Sequence, residues 1–230
     1  MKIDKRNYRV SIPYINKLFN YFIFINRKKI YDFFIKKINC NIKTRIIDIG
    51  TTPLLEKHEN ILFHSYKWKK KLTGFSNQDC TNLKKKFKKS NFIFGDARKI
   101  KLKQNSFDVS FCSATIEHVG SFKNQKKIIS ELYRISKKAI FLTTPNRNFP
   151  VDFHTKLPLI HWLPKKIHRK ILFLIGLKFY SKEENLNLLS TTDLINLLNN
   201  FDTIQYEVRY LNFLGFKSNC IIFGKIINSS

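Results

Sequence analysis

Residues 91–120 constrain the fold of this chain more than any other stretch. They contain two short apolar runs, 91–95 and 107–112, and each run is followed at once by polar residues. Short apolar runs bounded by turn residues are typical of buried strands in a parallel sheet. Because ligands of open α/β sheets bind beyond the carboxyl ends of the strands, the sequence predicts a binding cleft near Asp96 and Ser113.

The length of 230 residues and a hydrophobic content of 43% predict a folded domain with a full core. No apolar run approaches the roughly 20 residues of a membrane-spanning helix, and the first residues lack the apolar segment of a secretory signal. We therefore expect a cytoplasmic protein. The cysteines are not spaced like metal ligands, so we expect neither a metal site nor disulfides.

The formal net charge of +27 is extreme. Nucleic acid or an anionic membrane would attract such a chain. The basic residues are spread along the whole sequence, however, and the accompanying abundance of Lys, Asn, Ile and Phe is typical of a genome rich in A and T. We therefore favour a compositional origin. Nucleic acid is the less favoured partner, peripheral membrane association stays open, and the oligomeric state is not predicted.

Alternating strand and helix patterns predict the fold class. A helix is expected over 14–38, a second from Thr52 and Pro53 to residue 64, and others over 124–137, 167–180 and 192–199; strands are expected over 44–50, 71–75, 91–95, 107–112, 139–143, 202–209 and 218–226. The prediction is an α/β, Rossmann-like, doubly wound and mostly parallel seven-stranded sheet with an antiparallel C-terminal edge hairpin.

The order of these elements resembles class I S-adenosylmethionine-dependent methyltransferases, and most closely the small type 11 group. The resemblance covers residues 44–144: a strand followed by Asp48-x-Gly50, an acid after the third strand, and an F-D-strand-S-x-x-x-E-H motif at the fourth. It implies S-adenosyl-L-methionine as the cofactor. Residues 143–164 also resemble a segment that follows the fifth strand in a subset of these enzymes.

The resemblance implies a single domain over residues 1–230. Its parts would be a helical cap (1–40), a cofactor-binding core (41–144), a lid that shapes the acceptor site (145–190), and a C-terminal helix and hairpin (191–230). Four prolines interrupt the strand–helix rhythm in the proposed lid.

The cofactor residues implied by the resemblance are Asp48, Gly50, Thr51, Ser76, Asn77, Asp96, Ala97 and Ser113. Asp48 would hold the methionine end, and a helix starting at Pro53 would direct its N–H groups at the cofactor carboxylate. Asp96 matches the acid that binds the adenine amino group. Two features depart from the family: the loop after the first strand has one glycine, and Ser76 stands where an acid usually holds the ribose. Either aspartate could instead cap a turn.

Methyl transfer from a sulfonium depends mainly on alignment, and a general base helps when the acceptor is a hydroxyl. The candidate catalytic residues are Glu117, His118 and His154, although the first two could equally be a structural pair at a helix start. Residues 113–116 lack the Asn/Asp-Pro-Pro-aromatic tetrad of many enzymes that methylate nucleobase nitrogens.

We therefore predict a methyltransferase that acts on a small-molecule or lipid- or sugar-linked acceptor, at oxygen. One alternative is a Rossmann-like binding protein whose cofactor site has decayed, since the glycine loop and the ribose acid depart from the family. A second alternative is a basic module that binds RNA or an anionic membrane, since the charge is so high.

Overall fold

Seven strands form one sheet in the computed structural model, which describes residues 13–227 and the side chains from residue 21 onward. The strands are β1 (Ile46–Ile49), β2 (Leu72–Ser76), β3 (Asn91–Phe94), β4 (Phe107–Ser113), β5 (Ser136–Pro145), β6 (Ile204–Phe213) and β7 (Phe216–Ile226). Their order is β3-β2-β1-β4-β5-β7-β6; β1 to β5 are parallel to one another, and β7 lies antiparallel between β5 and β6. The predicted fold class is confirmed.

Six α-helices accompany the sheet in the described part of the chain. They are α1 (Pro13–Ile38), α2 (Ile61–Ser65), α3 (Thr81–Lys86), α4 (Phe122–Ile135), α5 (Lys165–Leu174) and α6 (Thr191–Leu198). None of the helices in this part of the chain has both the length and the apolar character needed to cross a membrane. The first 12 residues of the predicted cap lie outside the described residues.

The sheet separates two apolar layers because successive strand residues point to opposite faces. On β1, Ile46 packs into the layer beneath α1 and α2, while Ile47 packs into the layer beneath α4 and α6. Phe34 of α1 is fully buried, with its ring centroid 4.9 Å from that of Phe111 and 5.0 Å from that of Phe141. Burial of one such side chain stabilises the fold by about 1.5–3 kcal/mol, so α1 is held firmly on the sheet.

The helix predicted from Pro53 to residue 64 is wrong. Residues 51–60 form an irregular loop, and the helix begins only at Ile61. The buried Asn60 side chain donates to the carbonyl oxygens of Thr52, at 3.1 Å, and Leu54. These carbonyl oxygens bond to a side chain and not to helical N–H groups, so the favourable Thr-Pro start signal does not produce a helix.

The hairpin of β6 and β7 reaches further than predicted. Its turn is formed by Leu214 and Gly215, which have φ of 49° and 81°. Two successive positive φ angles are the geometry of a tight two-residue hairpin turn. The predicted eight-residue connection is therefore mostly strand.

The strand registers bring the carboxyl ends of β1 to β5 to one rim of the sheet. Ile49 lies beside Phe75 on one side and Cys112 on the other, and Ser113 lies beside Thr143. The loops that follow these strands carry most of the polar residues predicted for the site.

Candidate active site

A small cavity lies at the carboxyl ends of β1 and β4. Its volume is about 40 Å³, room for a few water molecules. Asp48, Thr51 and Ser113 line it from the rim of the sheet, and Arg27 lines it from α1. The sequence did not single out Arg27, because it is one of many basic residues on that helix.

Asp48 is buried at the end of β1, with 8% of its surface exposed. Burial raises the pKa of its carboxyl to about 7, although a hydrogen bond from Thr51 and the charge of Arg27 act in the opposite direction. Arg27 is held in place by a 2.7 Å hydrogen bond to the carbonyl oxygen of Glu59. The cavity therefore has an acid and a fixed cation in its wall.

Gly50 allows the chain to turn sharply after β1. Its φ is +90°, and a Cβ atom there would lie 2.0 Å from Oγ1 of Thr115. The N–H groups of Gly50 and Thr51 both donate to the carbonyl oxygen of Phe75, at 2.9 and 3.1 Å. The expectation of N–H groups directed at a cofactor from a helix starting at Pro53 is therefore wrong, because that helix does not form.

The carboxyl ends of β2 and β3 are more open. Oγ of Ser76 accepts a hydrogen bond from the N–H of Gln78, at 3.1 Å, and Asn77 is exposed. Asp79, which could have replaced the missing ribose acid, instead accepts hydrogen bonds from the N–H and the hydroxyl of Thr81.

Asp96 lies after β3, as predicted for an acid at the adenine end, but it has a partner of its own. Nη2 and Nε of Arg98 donate to its two carboxylate oxygens at 2.7 to 3.0 Å. These hydrogen bonds hold the pKa of Asp96 below its usual range. Ala97 beside it is half-buried. A ligand at this end must compete with the guanidinium for Asp96.

The structure brings together Glu117, His118 and His154. The first two lie in a 3₁₀ turn after β4, Ile116–His118, and His154 comes from the lid. The two Nε2 atoms are 3.1 Å apart, and Oε1 of Glu117 lies 3.8 Å from Nε2 of His154 and 4.0 Å from Nε2 of His118. We call these three residues the His–His–Glu cluster.

Each imidazole in the cluster is oriented through its other nitrogen. Nδ1 of His118 is 2.7 Å from the carbonyl oxygen of Asn185, and Nδ1 of His154 is 3.1 Å from Oδ1 of Asp152. Both partners are acceptors, so each Nδ1 carries the proton. When both rings are neutral, two Nε2 lone pairs face one another across 3.1 Å, which is repulsive unless a proton or a cation lies between them.

Charge in the cluster is distributed over buried groups. Burial works against a charged His154, but the hydrogen bond and charge of Asp152 outweigh it and raise the pKa of that imidazole. Burial raises the pKa of Glu117, which has no exposed surface, against the opposing effect of His154. The charge of Arg27 lowers the pKa of both Glu117 and Asp48, so the cluster and the cavity lie within electrostatic reach of the same cation.

Residues outside the predicted set position the cluster. Thr144 donates to Oε2 of Glu117 at 3.0 Å. The N–H of Asn187 donates to the carbonyl oxygen of Glu117 at 2.7 Å, and its Nδ2 donates to that of Gly120 at 2.8 Å. Gln125 donates to the carbonyl oxygen of Asn187 at 2.8 Å. These contacts join distant parts of the chain, so no local pattern predicts them.

A family model described as a methyltransferase domain matches residues 69–142, about a third of the chain. The curated proteins contain no match. Together with the fold, the family match supports the predicted class I S-adenosylmethionine-dependent methyltransferase and S-adenosyl-L-methionine as its cofactor.

Solved structures of similar fold cover most of the chain. A SAM-dependent methyltransferase from Methanosarcina mazei is 18% identical, with a TM-score of 0.55 over 84% of this chain and 97% of that one. Magnesium protoporphyrin IX methyltransferase from Synechocystis, with bound SAH, is 11% identical, with a TM-score of 0.56 over 87% and 83%. A possible histamine N-methyltransferase from Thermotoga maritima is 14% identical, with a TM-score of 0.53 over 90% and 99%. These likenesses show the fold alone.

The residues of the cavity fit the amino-acid end of the cofactor. That end carries an ammonium and a carboxylate, and the cavity offers the Asp48 carboxylate and the Arg27 guanidinium. The adenosine end fits less well, since the acid expected after β2 is replaced by Ser76 and the acid after β3 is paired with Arg98.

Proposed function

We propose that this methyltransferase acts on a hydroxyl oxygen. The observation that carries the proposal is the His–His–Glu cluster, where two facing Nε2 atoms and a buried carboxylate oxygen converge. A hydroxyl that approaches this point can lose its proton to the imidazole pair, and Glu117 stabilises the resulting positive charge. The cofactor supplies a methyl group already activated on a sulfonium.

The other residues of the site have supporting roles in this proposal. Asp48 and Arg27 hold the amino-acid end of the donor, and Ser113 lines the same cavity from the end of β4. Asp152 fixes the tautomer and the orientation of His154 through Nδ1. An acid at the ribose would help to hold the donor. The proposed methyl transfer does not require that acid, because the rate of an in-line transfer depends on alignment at the methyl end.

A direct test supplies ¹³C-methyl S-adenosylmethionine with matched acceptors that differ only in a hydroxyl, amine or thiol group. We expect label on oxygen only, and loss of transfer in His154→Gln with donor binding intact. The His64→Gln variant serves as a control, because His64 hydrogen-bonds Leu55 in the loop 51–60 and is not part of the cluster. Label on nitrogen or carbon would overturn the proposal.

The lid supports a lipid-linked acceptor within this class. Leu163, Ile167 and Leu174 follow helical spacing along one side of α5 and the turn before it, and they are 38%, 49% and 71% exposed. Lys166 and Lys170 lie beside this apolar face and are also exposed. Apolar side chains flanked by lysines are typical of a helix that lies in the interface of an anionic membrane.

We infer that this face of α5 rests on anionic bilayers. Vesicles with anionic lipid should sediment the protein, and zwitterionic vesicles should do so weakly. Ile167→Gln with Leu174→Gln should weaken sedimentation by about tenfold or more, because two apolar side chains no longer leave water. Leu214→Gln, at the 80% exposed hairpin turn, is the matched control. Equal losses in both variants would refute a specific role for α5.

A further inference from the structure

We infer that the His–His–Glu cluster binds a divalent transition-metal ion, with Zn²⁺ as the best match to its ligands. Glu117, His118 and His154 each offer one ligand atom, and the three atoms lie within 4.8 Å of one another. Two imidazoles and one carboxylate form a ligand set that Zn²⁺ uses in catalytic sites.

The distances fit a metal ion. The three ligand atoms are separated by 3.1, 3.8 and 4.0 Å, and a triangle with these sides has its centre about 2.1 Å from every corner. Zn–N and Zn–O bonds are about 2.0–2.2 Å long. An ion at this centre would therefore reach all three atoms without a rearrangement of the backbone.

The surrounding contacts are those of a metal site. Ligating histidines almost always donate their second ring N–H to a carboxylate or a carbonyl oxygen, which fixes the free nitrogen toward the ion. His154 does this with Asp152, and His118 does it with the carbonyl oxygen of Asn185. Both Nε2 atoms are thereby left as lone-pair ligands for the same point.

The carboxylate gives an independent indication. Oε1 of Glu117 is fully buried and has no hydrogen-bond partner among the described residues, while Oε2 accepts from Thr144. A buried carboxylate oxygen without a partner is costly. A cation bound at the centre of the cluster removes that cost and balances the charge of the carboxylate.

Three protein ligands leave a Zn²⁺ ion an open position for water or an acceptor oxygen. The His118 side chain is 30% exposed, so that position can be reached from its side of the cluster. A hydroxyl bound there would be activated by the ion in place of the imidazole pair. This role rests on the proposed function, whereas metal binding itself does not.

The test uses the untagged full chain, treated with a chelator and then titrated with Zn²⁺ and separately with Co²⁺, without donor or acceptor. We expect one Zn²⁺ per chain by elemental analysis and the intense visible absorption of four-coordinate Co²⁺. A folded wild-type chain that binds no stoichiometric Zn²⁺, or gives only the weak spectrum of hydrated Co²⁺, would overturn the inference. Methyl transfer is assayed in a separate experiment, so a failure of metal binding can be distinguished from a failure of the proposed transfer to oxygen.

Variants locate the site. Glu117→Gln and His154→Gln should weaken Zn²⁺ binding by about 100-fold or more, and Asp152→Asn by about 10–100-fold as an outer-shell change. His64→Gln should bind Zn²⁺ like the wild type. Thermal unfolding and donor binding check that each variant is folded. Unchanged Zn²⁺ affinity in folded Glu117→Gln and His154→Gln would place the ion elsewhere and refute the assignment.

Discussion

The polar groups at the carboxyl ends of β1 and β4 differ from those at the ends of β2 and β3 in burial and in their hydrogen-bond partners. At β1 and β4, Asp48 and Thr51 are buried and line the same cavity as the fixed charge of Arg27. At β2 and β3, Ser76 is buried as well, but Asn77 is exposed and the exposed Asp96 is bound by Arg98. Buried charged contacts contribute far more than exposed ones, which are typically worth about 0–1 kcal/mol. The methyl and amino-acid end should therefore dominate both donor affinity and rate.

The largest expected effect separates rate from donor affinity at the buried end. His154→Gln should lower the turnover number by about 10²–10⁴-fold, because the activating pair is lost. The dissociation constant for S-adenosylmethionine should stay within about twofold. Assays of product formation at saturating donor measure the turnover number, and calorimetric titration measures the dissociation constant. If the variant also lost donor binding, the cluster would contribute to donor binding as well as to the rate, and the division of roles proposed for the cluster and the cavity would be wrong.

Asp48 should give the next largest effect. Asp48→Asn should weaken donor binding by about 10–150-fold, the value of a lost charge-assisted hydrogen bond of about 1.5–3 kcal/mol. Calorimetric titration of both proteins measures it. An unchanged affinity would show that the ammonium of the donor binds elsewhere.

The same carboxyl predicts a pH dependence of donor binding. Its pKa is raised to about 7, so it is neutral below that pH and ionised above it, with Arg27 and Thr51 as the facing groups. Affinity for the cationic ammonium should rise by up to about tenfold per pH unit toward pH 7 and then level off. Titrations across this range should find no such slope in Asp48→Asn. A slope retained in the variant would assign the titration to another group.

Arg27 should have a smaller effect on donor binding. Arg27→Gln should weaken it by about tenfold through loss of the ion pair with the donor carboxylate, and Arg27→Lys by less. Equilibrium dialysis of the two variants compares them. If Arg27→Lys and Arg27→Gln weakened donor binding equally, the role of Arg27 would be to pack α1 against Glu59 and not to pair with the donor carboxylate.

The open end should give the smallest effects. Arg98→Gln releases Asp96 and should strengthen donor binding by about threefold at most, while Asp96→Asn should weaken it by a similar factor. Competition between the donor and a fluorescent analogue resolves changes of this size. A loss above about tenfold in Asp96→Asn would reverse the contrast between the two ends.

The strands were predictable because each is a short apolar run between turn residues. The alternation of these runs with helical segments predicted a mostly parallel sheet. The loop after β1 was not. The signal at Thr52 and Pro53 is a favourable local start for a helix, but Asn60, His64 and Lys86 together bind loop carbonyl oxygens that a helix would have used. Competing side-chain contacts of this kind override local propensity.

The candidate site shows the same limit. Glu117, His118 and His154 could be named from their residue types and from the family resemblance, but the facing of the two rings depends on Asp152 and the carbonyl oxygen of Asn185. The contact with Asn185 and the facing of the two rings form only when the segment 145–190 packs against the turn after β4. Arg27 enters the cavity for a similar reason, because α1 packs across the sheet from a position remote in sequence.

Asn187 has a consequence for how such enzymes can diverge. It joins the end of the predicted lid to the backbone of the turn after β4 at Glu117 and Gly120, and the same segment contributes His154 to the His–His–Glu cluster. In the proposed function, exchange of this segment for that of a relative would remove His154 together with the residues expected to shape the acceptor site. New acceptors are therefore easier to reach by single substitutions within this lid than by exchange of the whole segment.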